Sequence, residues 1–124
     1  MKEESILTIA EVAQIVQGKV LAHADRLDMH VETAFGSDLM SDVLAFVRDK
    51  TILITGLINT HVIRTAEMLD ISCIVFSRGK QPNEEMLEMA EEADITVIAT
   101  DMTTYTACGE LYTHGLAGTK EKTH

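Results

Sequence analysis

Tryptophan is missing from this chain, and aromatic residues occupy only 4% of its 124 positions. The core must therefore come from Ile, Leu, Val, Ala and the seven Met. There are two cysteines, Cys73 and Cys108, far apart and in no Cys-x-x-Cys pair, which excludes a disulfide framework and a thiolate zinc site. Cys73 lies in the apolar run Ser72-Cys73-Ile74-Val75-Phe76, where an inert buried thiol is expected. His23 and His30 stand seven apart, and Cys108 and His114 six apart. Neither spacing suits a tetrahedral centre, so no metal and no cofactor is expected. Basic residues are scarce as well: 10 Lys and Arg against 20 Asp and Glu give a formal charge of −10. The cations fall singly rather than in a stripe, so a surface that tracks nucleic-acid phosphates is excluded. Met1–Ser5 is charged, and no apolar run of spanning length follows. Neither a signal segment nor a membrane span is expected, and the cytoplasm is the expected compartment.

What the chain does contain is a repeated alternation of short β-branched runs and amphipathic stretches. Thr8-Ile9-Ala10-Glu11 has the spacing of a capping box. Ile9, Val12, Ala13 and Val16 then share a helical face, with Gly18 as a left-handed stop and Lys19-Val20-Leu21 as a short edge strand. Met29–Phe35 reads as a strand. Ser37 or Asp38 would cap the next helix, which turns Met40, Val43, Leu44 and Val47 inward. Thr51–Thr55 is a strand, and Asn59 or Thr60 caps a helix carrying Val62, Ile63, Ala66 and Leu69. Ile71–Phe76 is a strand, and Pro82 or Asn83 opens a helix with Met86, Met89, Ala90 and Ala93 inward. Six carboxylates fall within Asn83–Asp94, on what is expected to be the solvated face of that helix. Ile95–Ala99 is another strand. Thr103 or Thr104 starts a last helix running to about His114, stopped at Gly115. Strands joined to helices by such short linkers make βαβ units. The expected fold is α/β: a single domain over residues 5–116, with a parallel sheet and flanking helices in two or three layers. Residues 117–124 are expected to form a disordered tail.

In open parallel sheets ligands bind beyond the carboxyl ends of the strands, where loops meet helix N-termini. The candidate ligand-binding residues are those of the four loops: Ser37 and Asp38; Gly56, Asn59 and Thr60; Ser77, Arg78, Gly79 and Lys80; and Asp101, Thr103 and Thr104. Hydroxyls, free N–H groups and two cations suit an anion. The same residue types also serve as ordinary caps and turns, so capping alone is the competing explanation. Arg78 and Lys80 favour a ligand, because a loop in an acidic chain does not need two cations to fold. Gly-x-Gly-x-x-Gly, a phosphate loop ending in Lys-Ser or Lys-Thr, and Gly-x-Ser-x-Gly are all missing. Asp38 and Asp101 are two acids without a nucleophile. The chain is therefore not expected to be an enzyme.

The strand-end segments carry a family resemblance running from about Thr8 to Gly115. Phe35-Gly36-Ser37-Asp38-Leu39-Met40 resembles the small-residue turn and helix start of the DRTGG domain family. Leu53-Ile54-Thr55-Gly56 is similar to the strand that leads to that family's Asp-Arg pair. Ile74-Val75-Phe76-Ser77-Arg78-Gly79-Lys80-Gln81-Pro82 resembles its strand, Thr-Gly-Gly turn and proline. Asp101-Met102-Thr103-Thr104-Tyr105 is similar to its Asp-Thr-aromatic element. Leu57-Ile58 or Ile58-Asn59 stands where Asp-Arg would be, and Ser77-Arg78-Gly79 replaces Thr-Gly-Gly. The resemblance implies a regulatory, non-catalytic, dimeric module, with fold kinship to the N-terminal domain of HPr kinase. Together with the loops it leads to the expectation of a sensor domain that binds a nucleotide or phosphorylated compound and acts on an unknown protein partner. The alternative is a purely structural protein-interaction module with no small-molecule ligand. A homodimer is expected through the last helix, where Tyr105, Cys108 and Tyr112 form one apolar stripe and Ala107, Leu111 and His114 another. Gly109, mid-helix, would allow close backbone approach.

Overall fold

The computed structural model describes residues 6–47 and 50–119. In chain order the elements are β1 (Leu7–Thr8), α1 (Ile9–Ile15), β2 (Lys19–Ala22), β3 (His30–Val31), β4 (Thr33–Gly36), α2 (Met40–Phe46), β5 (Thr51–Thr55), α3 (Thr60–Met68), β6 (Cys73–Phe76), α4 (Glu84–Glu92), β7 (Thr96–Ala99), α5 (Thr104–Thr113) and β8 (Ala117–Gly118). The main sheet has the order β2-β7-β6-β5-β4-β8. Strands β4 to β8 are parallel, and β2 is antiparallel to β7 along one edge.

Helices cover both faces, so the domain has three layers. Residues of α2, α3 and α4 pack on Leu53, Ile74, Phe76 and Val97, while α1 and α5 pack on Ile52, Ile54, Cys73, Val75 and Ile98. Alternate side chains of one strand thus feed opposite cores. That is why β5, β6 and β7 are continuous buried runs rather than half-polar ones. Leu53 and Ile74 are fully buried.

Local chemistry sets most boundaries. Thr8 and Glu11 form the capping box: the Thr8 hydroxyl accepts the Glu11 N–H, and the Glu11 carboxylate accepts the Thr8 N–H. Asn59, Asn83 and Thr103 accept the N–H groups of Val62, Met86 and Thr106 and so cap α3, α4 and α5.

Five expectations need correction. Leu44, expected to turn inward on α2, is 45% exposed, because Met40, Val43 and Val47 form the face that packs into the core. Met29–Phe35 is not one strand. Its first half, β3, pairs antiparallel with β1 in a separate ribbon, and only β4 enters the main sheet. The break falls at Glu32, whose N–H donates to the Lys50 carbonyl. Gly18 is not the left-handed stop of α1; Gln17 takes that conformation at φ 54°. Gly18 is needed for space, since a Cβ there would lie 2.5 Å from Ile98 Cγ2 and 3.0 Å from the Ala99 carbonyl. Neither Ser37 nor Asp38 is the N-cap of α2; that position is Leu39, which offers no capping side chain. Lastly, Ala117–Gly118 is not tail but a strand beside β4. Residues 120–124 of the expected tail lie outside the described residues. No helix among the described residues is long and apolar enough to cross a membrane.

Candidate functional site

The carboxyl ends of β4, β5, β6 and β7 form one rim, and the rim has two unlike halves. On the β4–β5–β6 side the polar groups are engaged with one another. Asp38 Oδ1 accepts the Gly56 N–H at 2.8 Å and the Thr55 hydroxyl at 3.0 Å. The same Thr55 oxygen accepts the Leu57 N–H. Arg78 Nη2 donates to the Gly56 carbonyl at 3.1 Å, so the Gly56 residue is gripped from both sides. The guanidinium lies so close that a Cβ on Gly56 would fall 2.6–2.9 Å from its atoms. Only glycine admits this arrangement.

Arg78 itself has φ 65° and Gly79 φ 69°. A left-handed turn at a long side chain costs of order 1 kcal/mol relative to glycine. Backbone bonds from Arg78 N–H to the Met102 carbonyl and from Gly79 N–H to the Thr100 carbonyl hold the turn against the loop after β7. Ser77 Oγ and Thr104 Oγ1, 2.6 Å apart, add a side-chain tie across the same two loops.

On the β6–β7–β2 side the rim opens into a cleft of about 500 Å³ lined by Gln17, Gly18, Lys19, Leu21, Gly79, Gln81, Ala99, Thr100 and Asp101. This size lies within the range of small-molecule pockets. Thr100 is the structural member of the lining. Its buried hydroxyl donates to the Val16 carbonyl at 2.6 Å and accepts the Met102 N–H.

The expected site residues therefore separate. Asp38, Gly56 and Arg78 come together in a closed cluster. Ser77 and Thr104 bind each other, and Ser37 accepts the Leu39 N–H. Asn59 and Thr103 serve as helix caps, and Thr60 is the first residue of α3. Gly79 and Asp101 line the open cleft, and Lys80 is exposed on the loop beside it. The cleft residues that sequence reasoning missed are Gln17, Gly18, Lys19, Leu21, Gln81 and Ala99. Gln17 and Gly18 come from the α1–β2 connection and Lys19 and Leu21 from β2 itself, which meets this rim because Lys19 pairs with Ala99. No local signal announces a pairing between residues so far apart in the chain.

The two thiols differ. Burial pushes the Cys73 thiol up to about 12, the mark of an inert core cysteine. Cys108 is partly buried, and the same cause raises its pKa.

Among known families, the DRTGG domain matches over residues 11–113. No curated protein matches the chain. Among solved structures, the chain is similar to the CBS and DRTGG domains of the regulatory region of Clostridium perfringens pyrophosphatase, complexed with its activator, diadenosine tetraphosphate. The TM-score is 0.72 at 17% identity, over 88% of this chain. The match spans 47% of that chain, so this protein corresponds to about half of it.

Proposed function

From the premise that this chain belongs to the DRTGG domain family, we propose that it is a regulatory, non-catalytic domain that binds a small anionic metabolite at the carboxyl ends of its parallel strands and acts on a protein partner. A nucleotide or other phosphorylated compound is the ligand class. The observation that carries this reading is the rim itself. Lys19 lines its open cleft and Lys80 is exposed on the loop beside it, in a chain whose net charge is −10. The regulatory pyrophosphatase region of the same fold is a complex with a nucleotide activator, which supports the ligand class.

A thermal-shift screen of nucleotides and sugar phosphates tests the reading. A ligand at a hundredfold excess over its Kd adds about 2.7 kcal/mol of apparent stability. Amide shifts in 15N-labelled protein should then concentrate in the strand-end loops, Gly79 and Asp101 among them. If no anion raises the melting temperature at millimolar concentration, the domain is a structural interaction module instead.

A second reading, self-association through α5, rests on a separate surface. Ala107 and Leu111 are buried against the sheet, whereas Tyr105 and Tyr112 are 88% and 71% exposed. His114 is not part of an inward stripe: it is exposed, and its Nδ1 lies 2.8 Å from the Glu110 carbonyl. Beside the tyrosines a cleft of about 340 Å³ is lined by residues that include Ala34, Cys108 and Leu116. A Cβ on Gly109 would meet nothing within 4 Å. Among the described residues no other element comes within 4 Å of that position, which leaves it open to a second copy. Light scattering on the wild type and on Tyr105→Glu and Tyr112→Glu decides this reading. A dimer that dissociates with Tyr112→Glu supports it. A monomeric wild type excludes it, and a dimer that survives both charges is built on another surface.

A further inference from the structure

The chain path distinguishes one gap in the strand-end rim from the others. From β4 to β7 every crossover helix lies on one face, since α2, α3 and α4 share a core. The connection after β7 leaves for the opposite face, where α5 packs beside α1 before the chain returns to β8 next to β4. The loops leaving β6 and β7 are tied at their bases, by Arg78 N–H to the Met102 carbonyl and Gly79 N–H to the Thr100 carbonyl, and beyond that tie they part to opposite sides of the sheet. Such a divergence opens a crevice at the carboxyl ends of the two strands, and in open α/β sheets that crevice is where ligands bind. Gly79 from one loop and Thr100 and Asp101 from the other line the open cleft, at this gap. The start of β2, antiparallel to β7, forms its outer wall.

The chemistry of the lining narrows the occupant. Gln17, Lys19, Gln81 and Asp101 make no side-chain hydrogen bond or ion pair among the described residues, in contrast to Asp38 and Arg78 across the rim. Lys19 in the lining and Lys80 on the loop beside it bring two positive charges, about the charge of one phosphomonoester. A chain of phosphates would leave charge uncompensated beside the Asp101 carboxylate. An ionised carboxylate only accepts, so it suits the vicinal hydroxyls of a sugar. Two carboxamides, each donor and acceptor, suit the edge of a heterocyclic base. We infer that the β6–β7 crevice is the ligand site and that its occupant is a nucleoside monophosphate: Lys19 holds the phosphoryl group, Asp101 the ribose hydroxyls, and Gln17 and Gln81 the base. This inference rests on the regulatory-ligand reading above and assigns it a place and a ligand class.

Calorimetry with adenosine monophosphate on the intact chain tests it. Arg78→Ala serves as the control, because its guanidinium is turned away to Gly56. The expected result is binding that weakens at least tenfold in Lys19→Ala and in Asp101→Asn but less than threefold in Arg78→Ala. Ribose 5-phosphate should compete, and inorganic phosphate should compete far more weakly. Chemical-shift mapping of wild-type protein gives the same answer without relying on variants: Gly18, Lys19, Gly79 and Asp101 amides should move, and Gly56 and Asn59 should not. Binding that is lost in Arg78→Ala and retained in Lys19→Ala overturns the crevice and leaves the regulatory reading standing. Binding of a nucleoside triphosphate or dinucleotide tighter than the monophosphate overturns the ligand class alone. No binding of any phosphorylated compound overturns both.

Discussion

The two halves of the strand-end rim are built from the same residue types, yet they differ in what those residues do. Around Gly56 the Asp38 carboxylate accepts the Thr55 hydroxyl and the Gly56 N–H while the Arg78 guanidinium donates to the Gly56 carbonyl, leaving a closed cluster. Around Gly79 and Asp101 the polar heads are unengaged and face an open cleft. One half holds loops together, and the other is free to hold something else. A polar side chain at a strand end is therefore not evidence for a site until its hydrogen bonds are counted.

The largest expected effect falls on the wall of the open half. Gly18→Ala drives a Cβ against Ile98 and the Ala99 carbonyl. Overpacking against backbone should cost about 2–3 kcal/mol in urea denaturation. A near-neutral result would mean that β2 can move away from β7 and that the cleft wall is not rigid.

Next is the closed half. Asp38→Ala removes the acceptor of both the Gly56 N–H and the Thr55 hydroxyl. It should lower stability by about 1–2 kcal/mol, given that Asp38 is exposed and water can reach the freed groups. Asp38→Asn, which keeps an acceptor oxygen, should recover most of this loss. If Asp38→Ala is silent, the closed cluster is not held by its own hydrogen bonds.

Cys73 gives a comparison in pH, independent of the rim. Its folded-state pKa, about 12, lies above the ordinary value of 9.0. The folded state thus keeps its proton where the unfolded chain loses it. The thiol's contribution is fully present below pH 9 and is lost as pH rises toward 12, by roughly 1.4 kcal/mol per pH unit. Stability measured from pH 8 to 10.5 should fall less steeply in Cys73→Ala than in wild type. Equal slopes would show that the thiol is not buried as described.

The smallest effect separates strain from grip. Arg78→Gly relieves a left-handed backbone at φ 65° and forfeits one part-buried hydrogen bond to Gly56. The two nearly cancel, with a net gain of roughly 0.5 kcal/mol or less. A loss above about 1 kcal/mol would make the Arg78 contact a real clamp on the rim.

Much of the fold was legible because its signals are local. The capping box at Thr8 and Glu11, the caps at Asn59, Asn83 and Thr103, and the β-branched runs of β5 to β7 each depend on residues within one turn or one strand. The parallel order of β4 to β7 follows from linkers too short for other connections. The misread positions are those whose role is set by a distant partner. Gly18 looks like a helix stop, but its small size answers to Ile98. Asp38 has the position of a helix cap, but its carboxylate goes to the end of β5. Ala117 and Gly118, near the end of the described residues, form a strand by pairing with β4. The candidate site was legible as a rim of four loops, because parallel strands place their carboxyl ends together. Which gap in that rim is open depends on the chain crossing to the other face after β7 and on β2 folding back antiparallel beside it. Both involve contacts between residues tens of positions apart. Hydrophobic period and capping chemistry act over a few residues and were determined by the sequence itself. The pairing of Lys19 with Ala99, and the cleft it walls, was decided only when the sheet closed over both faces.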